Sequence, residues 1–223
     1  MATFQRSIAV LKKEVLSEFR TRYAISAVLL FVLTTITMIV FSTAGDNISP
    51  TVAAGILWIV MFFAAMTGLS KTFVSEEERN TSLYLKLISN SSAIYFGKLG
   101  FNIILSISLN IVAVLLFFMF MGNIEVRSID IFFLSIFLGS IAIAASTTII
   151  SALIAKANSK NALFPVLSFP IMLPVIILGI QTTIASFDGT IFEKVRGDFQ
   201  MLFAYSGLMC LASYYLFDFV WKE

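Results

Sequence analysis

The 223-residue chain has no histidine, a single cysteine, and charge on only 13% of its residues. Without histidine it lacks the commonest metal ligand and the commonest acid–base group at neutral pH. It also lacks the usual haem axial ligand, so Met or Tyr would have to serve instead. Its nine Met and six Tyr read more simply as residues packed against lipid and neighbouring helices. The lone Cys210 excludes an internal disulfide and sits in an apolar run, where a thiol behaves as a small hydrophobe. No Ser/His/Asp or Cys/His nucleophile set can be assembled. No phosphate-cradling loop is encoded either: Gly97-Lys98 is followed by Leu99, and no glycine stands at the required earlier position. The net charge of +2 comes without a clustered basic face, which argues against nucleic-acid binding. The chain therefore reads as neither an ATPase nor another enzyme, and as carrying no cofactor or metal of its own.

What it has in abundance is long apolar runs. Uncharged windows occupy Tyr23–Gly45, Asn47–Ser70, Leu99–Ile124, Ile131–Ala155, Asn161–Phe187 and Phe199–Phe217. A helix needs about 20 apolar residues to cross the hydrocarbon. The expected fold is an all-α membrane protein of six spans, at about 23–42, 51–70, 99–122, 131–154, 164–186 and 200–219, within one domain, 1–223. The sixth is the shortest, ending near Asp218 with Tyr215, Trp221 and Lys222 suited to an interface. The first run is too long for a signal-peptide core and reads as a retained span. Twelve of the fifteen Lys and Arg fall on the N-terminal segment, the even-numbered loops and the tail; three fall on the other side. The positive-inside bias makes the twelve cytoplasmic, with both termini inside. No charge lies within any window, whereas ion- or proton-coupled carriers usually need one there.

Four segments say more. Before Tyr23, Phe4, Ile8, Leu11, Val15 and Phe19 recur at helical spacing, with Arg6, Lys12, Lys13 and Glu14 largely off that stripe. This predicts an amphipathic helix over 1–22 lying flat at the cytoplasmic headgroups. The second loop, Lys71 to Lys98, opens with Ser75 followed by Glu76, Glu77, Glu78 and Arg79. Ser75 three residues ahead of Glu78 is a capping-box signature, and the acids suit the positive end of a helix dipole. Leu83, Leu85, Leu87 and Ile88 follow, so one capped helix over 75–88 is expected on the cytoplasmic surface. It can lie on lipid or insert into a groove of a soluble partner. In the fourth span Ser140, Ala144, Thr148 and Ala152 recur every four residues, a small-residue ridge fit for close helix packing within the chain or against a second copy. The fifth span holds Pro165, Pro170 and Pro174, each of which removes a helix hydrogen bond; a static kink and a moving bend are both open readings.

On these residues the chain resembles the ABC-2 type of exporter membrane subunit, and more narrowly the CcmB family, the permease subunit of the haem exporter of cytochrome c maturation. The resemblance rests on Gly55-Ile56-Leu57-Trp58 through Gly68-Leu69, on Phe73-Val74-Ser75-Glu76-Glu77-Glu78, on Gly97-Lys98-Leu99 and on the three prolines. The sequence departs from the family pattern at Asn80-Thr81-Ser82-Leu83, at Ser89 near a usual proline, and at Gln181 where an acid is common. The resemblance implies a separate, CcmA-like ATPase gripping Ser75–Ile88 as a coupling helix and a second copy of the chain. It also implies CcmC-like and CcmD-like membrane subunits, a CcmE-like periplasmic haem chaperone, and residence in the bacterial inner membrane. Haem would be cargo of the complex, ATP would bind the partner, and the work would release the loaded chaperone. An exporter subunit for a lipid-linked glycan or drug, and a non-transport assembly scaffold, remain open alternatives.

Overall fold

The computed structural model describes residues 2–42, 48–78, 81–122, 124–155 and 160–222. Among them the chain forms nine helices and no strand: α1 (Ala2–Thr21), α2 (Tyr23–Ser42), α3 (Pro50–Leu69), α4 (Lys71–Glu78), α5 (Ser82–Ile88), α6 (Ser91–Phe120), α7 (Ile129–Ile154), α8 (Lys160–Phe187) and α9 (Phe192–Lys222). Six are long and apolar enough to cross a membrane: α2, α3 (with α4 continuing it), α6, α7, α8 and α9. Consecutive spans alternate in direction, so both termini lie at one end of the bundle, the terminal end.

The spans are unequal. The most apolar stretches of α3 and α7 are each 61% buried inside the protein, while those of α2 and α9 are 22% buried. α3 and α7 therefore form the centre, and the others present apolar side chains outward, as lipid allows. Trp58 of α3 is fully buried where α3, α7 and α8 meet. Glycine makes room for it: a Cβ on Gly139 or Gly179 would stand 2.3 or 2.1 Å from the indole. Its Nε1 donates to Thr183 Oγ1 at 2.9 Å, and Ser135 bonds Thr182 at 2.6 Å beside it. In an apolar bundle such pairs contribute about 0.6–2 kcal/mol each.

Helix boundaries follow the apolar windows closely for α2, α3, α7 and α8, and depart from them for α6 and α9. α9 is the longest helix, at 31 residues, rather than the shortest span. A hydropathy window stops at the first charge, but a helix does not: Lys194 and Arg196 lie in its first turns, where Val195 and Phe199 stay buried against Ile131 of α7. α6 starts eight residues ahead of the expected span, with Asn90 at the N-cap position and its carbonyl accepting from the Ile94 N–H (3.2 Å), and so holds Lys98 inside a helix.

α1 is not simply a float on lipid. Its face bearing Val10 and Glu14 docks on α6. Gly97 makes this possible, since a Cβ there would stand 2.7 Å from Val10 Cβ and 2.8 Å from the Ser7 carbonyl oxygen. Phe4, Ile8 and Phe19, from the expected stripe, stay exposed on the adjoining face. The helix thus has one side for protein and one for the interface. Glu18 ties its end to α2, accepting the backbone N–H groups of Ala24 (2.9 Å) and Ile25 (3.2 Å) around a left-handed Arg22 (φ 52°).

Candidate functional site

The terminal end carries the expected coupling segment, built differently from the single capped helix. The chain passes Ser70 in helical conformation, so α4 begins at Lys71 and Ser75 sits mid-helix rather than at a cap. The acids Glu76, Glu77 and Glu78 therefore occupy the last turn of α4, the negative end of its dipole, where they are disfavoured. A second short helix, α5, follows, with Thr81 at its N-cap position and Ser89 at its C-cap. Leu83 and Leu85 lie on α5, Leu83 exposed and Leu85 half-buried. Arg79 and the side chain of Ile88 lie outside the described residues.

What offsets the misplaced acid is a buried cation. Lys98, fully buried on α6, donates to Glu14 Oε1 of α1 (2.8 Å), Glu76 Oε1 of α4 (3.3 Å) and the Thr72 carbonyl (2.6 Å). Its ammonium also stands 4.9 Å from the centre of the Phe73 ring, in cation–π range. Lys13 joins from the solvent side, bonding Glu14 (3.3 Å) and Glu76. Burial works to lower the Lys13 pKa, but Glu14 and Glu76 outweigh it and hold it above the usual lysine value. Thr81 closes the set: its hydroxyl donates to the Glu76 carboxylate and its N–H to the Glu76 carbonyl (2.9 Å). Four helices, α1, α4, α6 and the start of α5, thus meet on one carboxylate.

From Lys98 a polar ladder descends α6 at four-residue steps: Asn102, Ser106 and Asn110, all buried. It faces the small-residue ridge of α7. Asn102 accepts from Thr72 and donates to Thr148, both at 2.8 Å; Ser106 donates to the Ser140 carbonyl at 3.1 Å; Asn110 donates to Ser140 Oγ at 2.8 Å. Ser140, Ala144, Thr148 and Ala152 are all buried inside this one chain. The ridge is therefore used internally and is not free to join a second copy. α4 is tied in as well: the Phe73 N–H donates to Ser151 at 3.0 Å, and the Phe73 ring packs against Phe217 and Trp221 of α9 at 5.2 and 5.7 Å.

Residues 5–219 match the CcmB protein family. The chain belongs to the CcmB family. No curated protein matches it. The family is that of the membrane permease subunit of a haem-export ABC transporter in cytochrome c biogenesis, a permease and not itself the ATPase.

The CcmB features of the sequence now have physical roles. Gly97 admits α1, and Lys98 neutralises the acids of α1 and α4. Pro165, Pro170 and Pro174 lie inside an unbroken α8 with their rings outward, and the Tyr205 hydroxyl of α9 donates to the Ile171 carbonyl between the second and third. Among the described residues no group of three or more Cys, Asp or Glu is placed to hold a metal ion. Sequence reasoning placed Lys98 in a loop and gave Glu14 no role. The signal that could have found the site was Lys98, Asn102, Ser106 and Asn110 at four-residue spacing in an otherwise apolar run.

Proposed function

We propose that this chain is the moving permease half of a haem-handling ABC complex of the bacterial inner membrane, with its terminal end in the cytoplasm. A separate, CcmA-like ATPase grips α5. The observation that carries this reading is a lever: α5 exposes Leu83 (69%), Tyr84 (67%) and Leu87 (86%) at the terminal end, while Thr81 fastens it to the buried Glu76. Exposed apolar residues four apart on a short helix suit insertion into a groove. Closure of the ATPase pair displaces α5; Glu76 passes the displacement to Lys98 on α6 and Glu14 on α1, and the ladder passes it to α7. Two copies act together, meeting through span one, α2, since the small-residue ridge is already taken. CcmC-like and CcmD-like subunits handle the haem, and the movement releases a haem-loaded CcmE-like chaperone.

The test is co-purification of the complex in mild detergent, with ATPase and chaperone-release rates, for the parent and for Leu83→Asp with Leu87→Asp. Groove anchors are typically worth 2 kcal/mol or more, so we expect ATPase retention to fall by roughly 30-fold or more. Parental retention and release rates in the double variant would refute the reading.

A further inference from the structure

By sequence Trp221 suits a headgroup belt; in the folded chain it has other work. A belt indole keeps its N–H at the wet side of the interface. The Nε1 of Trp221 is buried and has no hydrogen-bond partner. Its ring is what the fold uses. It stacks on Phe217, with centroids 5.3 Å and planes 21° apart, and meets the Phe73 ring of α4 edge-on at 5.7 Å. The Lys86 ammonium of α5 stands 5.4 Å from the centre of the same ring, in cation–π range. A buried, unpaired indole N–H costs free energy that a phenylalanine would not incur. What the indole offers in return is the strongest aromatic face for a cation.

The Lys86 contact ends a longer run. The Tyr95 hydroxyl donates to the Cys210 carbonyl (2.9 Å), Ser92 bonds Tyr214 (3.2 Å), Ser91 donates to Asp218, and Lys86 lies over Trp221. Residue numbers fall on one side as they rise on the other. The start of α6, and α5 ahead of it, therefore follow about the last three turns of α9 in the opposite direction. α5 needs such support. At seven residues it is too short to stand as a helix by itself. Thr81 pins its start to Glu76, and Lys86 lies in its last turn.

We propose that the end of α9 is a second mooring of α5, with Trp221 as a positioning residue: the Lys86–Trp221 contact holds the last turn of α5 and so sets the direction of its exposed leucines. The mooring stands whether or not an ATPase grips α5. Under that grip, α9 joins α1, α4 and α6 among the helices that α5 displaces.

The test is hydrogen exchange read by mass spectrometry on the full chain in mild detergent. Lys86→Gln should speed exchange of the Ser82–Ile88 amides by roughly three- to tenfold, the loss of one half-buried cation–π contact, with α4 and the start of α6 at parental rates. Lys86→Arg, whose guanidinium also binds a ring face, should keep the parental rate. Trp221→Leu should loosen α5 likewise, and adding Lys86→Gln to it should change α5 no further, because the cation then has no ring to lose. Should Trp221→Leu fail to fold, Lys86→Gln and Lys86→Arg decide the matter alone. Unchanged α5 exchange in Lys86→Gln, equal loosening in Lys86→Arg, additive effects in the double variant, or loosening shared by α4 and α6 in Lys86→Gln would each overturn the proposal.

Discussion

Replacing Lys98 by methionine tests the centre of the structural argument. The ammonium lies 2.8 and 3.3 Å from two carboxylate oxygens, with no exposed surface of its own. At an effective dielectric of about 20 each attraction is worth about 5–6 kcal/mol, against a desolvation penalty of several kcal/mol per ion. The two nearly cancel, so the intact cluster adds little net stability. Removing only the cation is different: Glu14 and Glu76 are left facing each other with Lys13 alone to separate them. Breaking such a pair costs about 3–5 kcal/mol. With about 2–4 °C per kcal/mol for a chain of this size, Lys98→Met should lower Tm by about 6–20 °C in detergent. The triple variant Lys98→Met with Glu14→Gln and Glu76→Gln should recover most of that loss, because no buried charge is then orphaned. Thermal unfolding followed by circular dichroism reads both. A drop under about 2 °C for the single variant, or a triple variant no better than the single, would refute the reasoning.

Two further outcomes follow from the same geometry. Lys13 has its folded pKa raised above 10.5, so its contribution is fully present below that pH and is lost as pH rises through the folded value. The Tm deficit of Lys13→Gln should therefore be constant from pH 6 to 9 and shrink only above about 10.5, in a pH series of melts. Gly179→Ala would place a methyl 2.1 Å from the Trp58 ring. It should destabilise by about 1–3 kcal/mol and shift tryptophan emission, and Trp58→Phe in the same chain should recover part of the loss.

The apolar windows carried the architecture, because a helix in lipid must satisfy its own backbone and only a long uncharged run can do so cheaply. The ridge at Ser140, Ala144, Thr148 and Ala152 was visible for the same reason, since small residues at four-residue spacing have little other use in a membrane helix. Its partner was only half legible: Lys98, Asn102, Ser106 and Asn110 mark a polar stripe, but that this stripe meets the ridge is decided only when α6 is laid antiparallel on α7. The capping-box reading of Ser75 and Glu78 failed on a non-local fact. Nothing between Ser70 and Lys71 ends the helix, and of the acids that local rules place at an N-terminus the buried one, Glu76, is neutralised by Lys98, twenty-two residues away, and by Lys13, sixty-three away.

By itself, then, the sequence determined that this chain is six helices dissolved in lipid with a charged elbow between the second and third, since hydropathy and charge act through neighbours along the chain. The family followed from the same residues. Only the tertiary structure decided that Lys98 belongs to the interior and that α1 is a docked part of the bundle. Each of these depends on which helices are adjacent, and adjacency is set by shape: by Gly97 yielding to Val10 and by Gly139 and Gly179 yielding to Trp58.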